Sequence, residues 1–143
     1  MNALVAKLAH PALVRVAQVA IGVVFVAAAL AKIGDAAYVA QQVHNYHLAP
    51  VWAENLIATV MPWIELVAGV ALVTGPRRRA GAVIVLGFML FFTVAVGAAW
   101  ARGLDFHCGC FGKAGAGVIG ASKFFENVGL TILATIAVLP PRR

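Results

Sequence analysis

Four apolar stretches, each long enough to cross a bilayer, alternate along the chain with short polar or basic segments. From Pro11 to residue 31 the sequence is almost wholly apolar, broken only by Arg15 and Gln18 near its start. Pro11 suits a first helical turn, where its missing N–H leaves nothing unsatisfied. The second run covers 52–74, with Pro62 inside it and Glu65 three residues later. A proline is tolerated in a membrane helix and predicts a kink there. The third, 80–100, holds no charge over its length, enough to cross a hydrocarbon core of about 30 Å. The fourth, 122–139, opens on Ser122 as a candidate N-cap and stops at Pro140-Pro141. A cleaved signal peptide is the competing reading of the first run, since Ala29-Leu30-Ala31 resembles a small-residue cleavage site. The run is long for a signal core, which favours a span.

The connections are as informative as the spans. In 32–50, Tyr38, Gln41, Gln42, Asn45 and Tyr46 recur at helical spacing. This predicts a short interfacial helix with its tyrosines at headgroup depth. Residues 101–120 contain Gly103, Gly109, Gly112, Gly115, Gly117 and Gly120, a composition of turn and coil rather than strand. The expected fold is therefore all-α: one integral membrane four-helix bundle over residues 1–143.

Composition sharpens this picture. The chain is 63% hydrophobic and 11% charged, whereas a soluble domain carries about 25% charged residues. The formal net charge of +6 does not predict nucleic-acid binding, because the basic residues are few and lie between apolar runs. Their distribution reports topology instead. Lys7, Arg15, Arg77, Arg78, Arg79, Arg142 and Arg143 fall on one side, and Lys32, Arg102, Lys113 and Lys123 on the other. Lysine and arginine resist translocation, so the larger set marks the cytoplasmic face. Both termini are then expected inside, with 32–50 and 101–120 outside, facing the periplasm across a bacterial inner membrane.

Candidate chemistry gathers in those outer loops. Cys108 and Cys110 are the only two cysteines, preceded by His107 and separated by Gly109. One pair excludes a disulfide framework and a four-thiolate zinc site within the chain. Two residues span at most about 7.2 Å, and a disulfide needs about 4.4–6.8 Å between Cα atoms, so the pair can close. The ring is tight, and strained disulfides are the more oxidising ones. His107, Arg102 and Lys113 favour the reactive thiolate. The alternative is two small buried hydrophobes at a helix end. His44 and His47, three apart, join His107 and the cysteines as a possible soft-metal set for copper or zinc, against solvated interfacial histidines. Glu65 is an ionisable group at mid-membrane, a functional candidate by default or a structural hydrogen bond between helices. Lys32, Arg102 and Lys123 are candidate partners, although the depth favours a neutral, hydrogen-bonded acid. Glu126 and Asn127 could complete a polar patch with Lys32.

Ala31-Lys32-Ile33-Gly34-Asp35 after the first span, Met61-Pro62-Trp63-Ile64-Glu65-Leu66-Val67-Ala68-Gly69 in the second, and Arg102-Gly103 before Cys108-Gly109-Cys110-Phe111-Gly112 resemble the DoxX-like superfamily. The cysteine segment is similar to the branch of the methylamine utilisation protein MauE. The resemblance implies a four-helix inner-membrane protein that forms or transports disulfides in a periplasmic enzyme. It implies Cys108 and Cys110 as the redox pair and Glu65 as a membrane acid, relaying a proton or touching a bound quinone. Membrane thiol oxidases of the DsbB and vitamin K epoxide reductase type use two cysteine pairs; here there is one.

The expected function is thiol–disulfide exchange with a periplasmic protein carrying thiols or disulfides, with His107 as proton acceptor or electrostatic aid. A membrane or periplasmic redox partner would then complete the electron path. Two other classes stand beside it: a non-catalytic membrane subunit of a quinone-linked oxidoreductase, and a copper or zinc protein.

Overall fold

A computed structural model describes residues 2–108 and 117–140, and its regular structure is helical. The helices are α1 (Asn2–Leu8), α2 (Pro11–Ile33), α3 (Ala36–Asn45), α4 (Val51–Thr74), α5 (Arg78–Ala101) and α6 (Ala121–Val138). Four of them, α2, α4, α5 and α6, have the length and apolar composition to cross a membrane. Among the described residues the only extended pairing is a single antiparallel bridge between His107 and Val118. The protein is an all-α membrane helical bundle.

The four long helices close into a ring. Helix α2 packs on α4 and α6, and α5 packs on the same two from the opposite side; α3 lies against α4. The ring is tightest where α2 crosses α4. A methyl group added to Gly69 would stand 2.8 Å from the carbonyl oxygen of Gly22, and one added to Gly22 would stand 3.0 Å from that of Gly69. Small residues are what allow membrane helix backbones to approach this closely. Ile21, Phe25, Leu72, Val85 and Met89 fill the interior around this crossing. Val16, Val23, Trp63, Val67 and Val94 point outward and exposed, the faces that a bilayer covers.

Local chemistry sets the helix ends. Helix α2 starts at Pro11, where the His10 ring accepts from Ala12 N–H. Helix α4 runs unbroken through Pro62 and ends at Gly75 (φ +102°), a left-handed cap that suits glycine. Helix α6 starts at Ala121 with Gly120 at the cap and no side-chain capping bond, so Ser122 is not the N-cap that the sequence suggests. Ile119 N–H is already donated to Phe106 O at 2.8 Å. That bond fixes where the chain turns into the helix.

Side chains of α2 also complete the ends of its neighbours. Arg15 donates to Leu72 O at 2.9 Å and to Val73 O at 2.8 Å. Gln18 donates to Ala137 O at 3.0 Å. The last carbonyls of a helix have no partner within it, so one helix supplies donors to the exposed ends of two others.

Candidate functional site

At the opposite end of the ring, polar side chains turn inward. Lys32 lies in the last turn of α2 and Glu65 within α4. Both are buried, at 2% and 1% exposure, and the Lys32 ammonium donates to both Glu65 oxygens, at 2.9 and 2.8 Å. The sequence named Lys32 as a partner but favoured a neutral acid at this depth; the structure provides a paired acid. A buried carboxylate is tolerable when a cation meets it and its oxygens are hydrogen-bonded. Lysine's flexible stem carries its ammonium from the end of one helix to the middle of the other. The ring of Phe92 lies 5.4 Å from the ammonium and adds a cation–π contact.

Cys108 enters the same region from the connection between α5 and α6. Its N–H donates to Gly117 O at 3.0 Å, one of two bonds that pair 106–108 with 117–119. Val96, Ala99 and Ile119 pack around it, and its exposure is 3%. Its sulfur is disulfide-bonded. The second cysteine of the expected pair, Cys110, falls in 109–116 and lies outside the described residues, as does Lys113. His107 is exposed, next to the buried cysteine.

Tyr46 holds Cys108 from the other side. Its hydroxyl donates to Cys108 O at 3.0 Å and stands 3.4 Å from Cys108 Sγ. Phe106 meets its ring edge-on at 4.8 Å, and Arg102 donates to its backbone carbonyl. Burial raises the Tyr46 phenol well above its ordinary value of 10.0, because an apolar surrounding disfavours the phenolate. The sequence expected this tyrosine on the interfacial helix, and the structure adds that its hydroxyl meets the cysteine. The turn after α3 brings it there, with Tyr46 as C-cap and His47 at φ +51°.

Two cavities flank Cys108. One, of about 20 Å³, is bounded by the Lys32–Glu65 pair, Cys108, Lys123, Glu126 and Asn127, with room for about one water. Lys123 pairs with Glu126 at 3.0 Å, and Asn127 donates to Lys123 O. The expected polar patch thus exists and adjoins the buried pair. The other cavity, of about 250 Å³, lies between α3, α4 and α5, with Lys32, Tyr46 and Cys108 in its wall.

His44 and His47 sort differently. His44 Nδ1 lies 2.9 Å from an oxygen of buried Glu54, and the His47 ring meets that of His44 edge-on. Glu54 was not legible as a functional residue, because only the fold of α3 back onto α4 sets it against His44. Among the described residues no group of three His, Cys, Asp or Glu side chains is arranged to hold a metal.

A ring of four membrane-crossing helices, with a buried ion pair and a cysteine at one end, defines a small multi-pass membrane protein. Residues 10–140 match the family described as methylamine utilisation protein MauE, and the chain belongs to that family. It is similar to the methylamine utilization protein MauE of Paracoccus denitrificans, with 29% identity over 128 residues, 89% of this chain and 69% of that one. No solved structure matches.

Proposed function

We propose that this protein is a membrane component of methylamine utilisation that exchanges thiols and disulfides with a periplasmic protein through Cys108 and Cys110. The observation that carries the reading is the placement of Cys108 between two cavities, held by the Tyr46 hydroxyl next to the buried Lys32–Glu65 pair. His107, exposed beside it, serves as the proton acceptor when a thiol is deprotonated for attack. The charge distribution supports an orientation with both termini cytoplasmic and this end of the bundle periplasmic, where disulfides persist.

Thiol alkylation with mass spectrometry, before and after reductant, tests the reading. The expected result is a cysteine pair that switches between thiol and disulfide, and a mixed disulfide with a periplasmic protein when one cysteine of the pair is replaced by serine. Methylamine-dependent growth that survives both Cys108→Ser and Cys110→Ser would overturn it. Such survival would favour a second reading, supported by the 3% exposure of Cys108: a non-catalytic membrane subunit of the DoxX-like kind that anchors a partner enzyme.

A further inference from the structure

We infer that Tyr46 is a catalytic residue of the thiol exchange: its hydroxyl receives the Cys108 sulfur as that sulfur leaves the disulfide, which makes the couple easier to reduce. The inference starts from one hydrogen and two acceptors. The Tyr46 hydroxyl lies 3.0 Å from Cys108 O and 3.4 Å from Cys108 Sγ, and a phenol has a single hydrogen to give. While Cys108 is disulfide-bonded, its sulfur is a weak acceptor and the carbonyl oxygen holds that hydrogen. A thiolate is an ionised acceptor, and bonds to charged groups are the stronger ones. When the S–S bond breaks, the hydrogen therefore turns from the oxygen to the sulfur. An interaction that strengthens as charge develops favours the step, whereas one equal in both states does not.

The surroundings give that bond its weight. Val96, Ala99 and Ile119 pack around Cys108, and Phe106 and Tyr46 border the same cluster. An apolar setting disfavours a thiolate, so a fixed donor takes the place of water that the packing excludes. The donor is held before the reaction begins. Arg102 donates to Tyr46 O at 3.1 Å, the Tyr46 N–H donates to Val43 O, and Phe106 meets the ring edge-on. Burial also raises the phenol above its ordinary value, so Tyr46 keeps its hydrogen in the range where thiols ionise. It donates a bond and gives up no proton.

This assignment rests on the function proposed above and adds the fate of the leaving sulfur. At 3% exposure Cys108 is closed to a partner protein, so attack falls on the sulfur bonded to it. A partner thiol gives its proton to His107, and its thiolate forms the new S–S bond as the bond to Cys108 breaks. The electron pair of the broken bond goes to Cys108 Sγ. A second partner thiol then closes that protein's own disulfide. The partner loses two electrons and two protons, and the couple gains them.

Equilibration of the full chain in phospholipid nanodiscs with mixtures of reduced and oxidised glutathione at neutral pH tests it, the dithiol fraction being read by alkylation and mass spectrometry. Tyr46→Phe should shift the equilibrium about tenfold toward the disulfide, a fall of about 30 mV in reduction potential. Replacing Tyr46 by 3-fluorotyrosine, a more acidic donor of nearly the same shape, should shift it about twofold the other way. Loosened packing does not move the two variants in opposite directions. An unmoved equilibrium in either variant, or a shift of both in the same direction, would overturn the inference. The fluorinated protein keeps ring and hydroxyl, so the test stands even if Tyr46→Phe fails to fold. A couple that glutathione cannot interconvert would sink the proposed function together with this inference, whereas one that interconverts with both variants unmoved sinks this inference alone.

Discussion

The two ends of the helix ring are built on opposite principles. From its start to its midpoint, α2 closes the carbonyl ends of α4 and α6 with Arg15 and Gln18 and then touches the α4 backbone where Gly22 meets Gly69. Where α2 ends, the same helix contributes a buried cation, and cavities border Lys32 and Cys108. The first end uses polar atoms to finish secondary structure. The second buries charge and leaves space beside it. Packing of this kind is rigid, so the contrast sets a filled region against one where room has been kept beside the candidate site.

The largest test removes one half of the buried pair. Lys32→Met leaves Glu65 without its cation and should destabilise the protein by about 3–5 kcal/mol, whereas Lys32→Met with Glu65→Leu should recover most of the loss. Denaturant titration in detergent micelles reads both, and a neutral single variant would show that the pair is not structural. Smaller is the effect of overfilling the close-packed end. Gly69→Val should cost about 1–3 kcal/mol, because its added atoms meet the Gly22 carbonyl. Gly87→Ala, with open space around it, should change stability by less than about 0.5 kcal/mol. Thermal unfolding that failed to separate these two glycines would erase the difference between a filled region and a vacant one.

A loss smaller than that of Gly69→Val is expected at Tyr46. Tyr46→Phe should cost about 1 kcal/mol through the lost bond to Cys108 O. Its phenol is raised above 10.0 in the folded protein. A raised group contributes stability that is complete below the unfolded value and is lost as pH climbs through the folded one. The stability difference between the parent and Tyr46→Phe should therefore hold to about pH 10 and shrink above it. Ultraviolet titration of the phenolate should show one tyrosine ionising late, and that step should vanish in the variant.

Much of the fold was legible in the sequence because lipid imposes strict rules. Long apolar runs must become helices, and Gly75-Pro76 and Pro140-Pro141 stop them. The candidate site was legible in its parts and not in its assembly. Glu65 stood out as a lone acid in an apolar run, and Lys32 as a cation just beyond another. Their contact needs the register of α2 against α4, which Gly22 and Gly69 set by backbone approach, and no periodicity within either helix reports a register between them. Tyr46 illustrates the same limit. Helical spacing placed it on α3, but a turn at the end of that helix decided that it meets Cys108. Gln42 read as one more polar residue of an interfacial helix, and only the fold shows it buried with its Oε1 unpartnered among the described residues.

Arg15 has a consequence for how the protein is made. When α2 enters the bilayer, the carbonyls that its guanidinium will serve belong to a segment still being synthesised. Until α4 arrives, that cation lacks the two carbonyl partners it has in the finished bundle. The residue that closes the finished bundle is therefore matched only once the second long helix has docked.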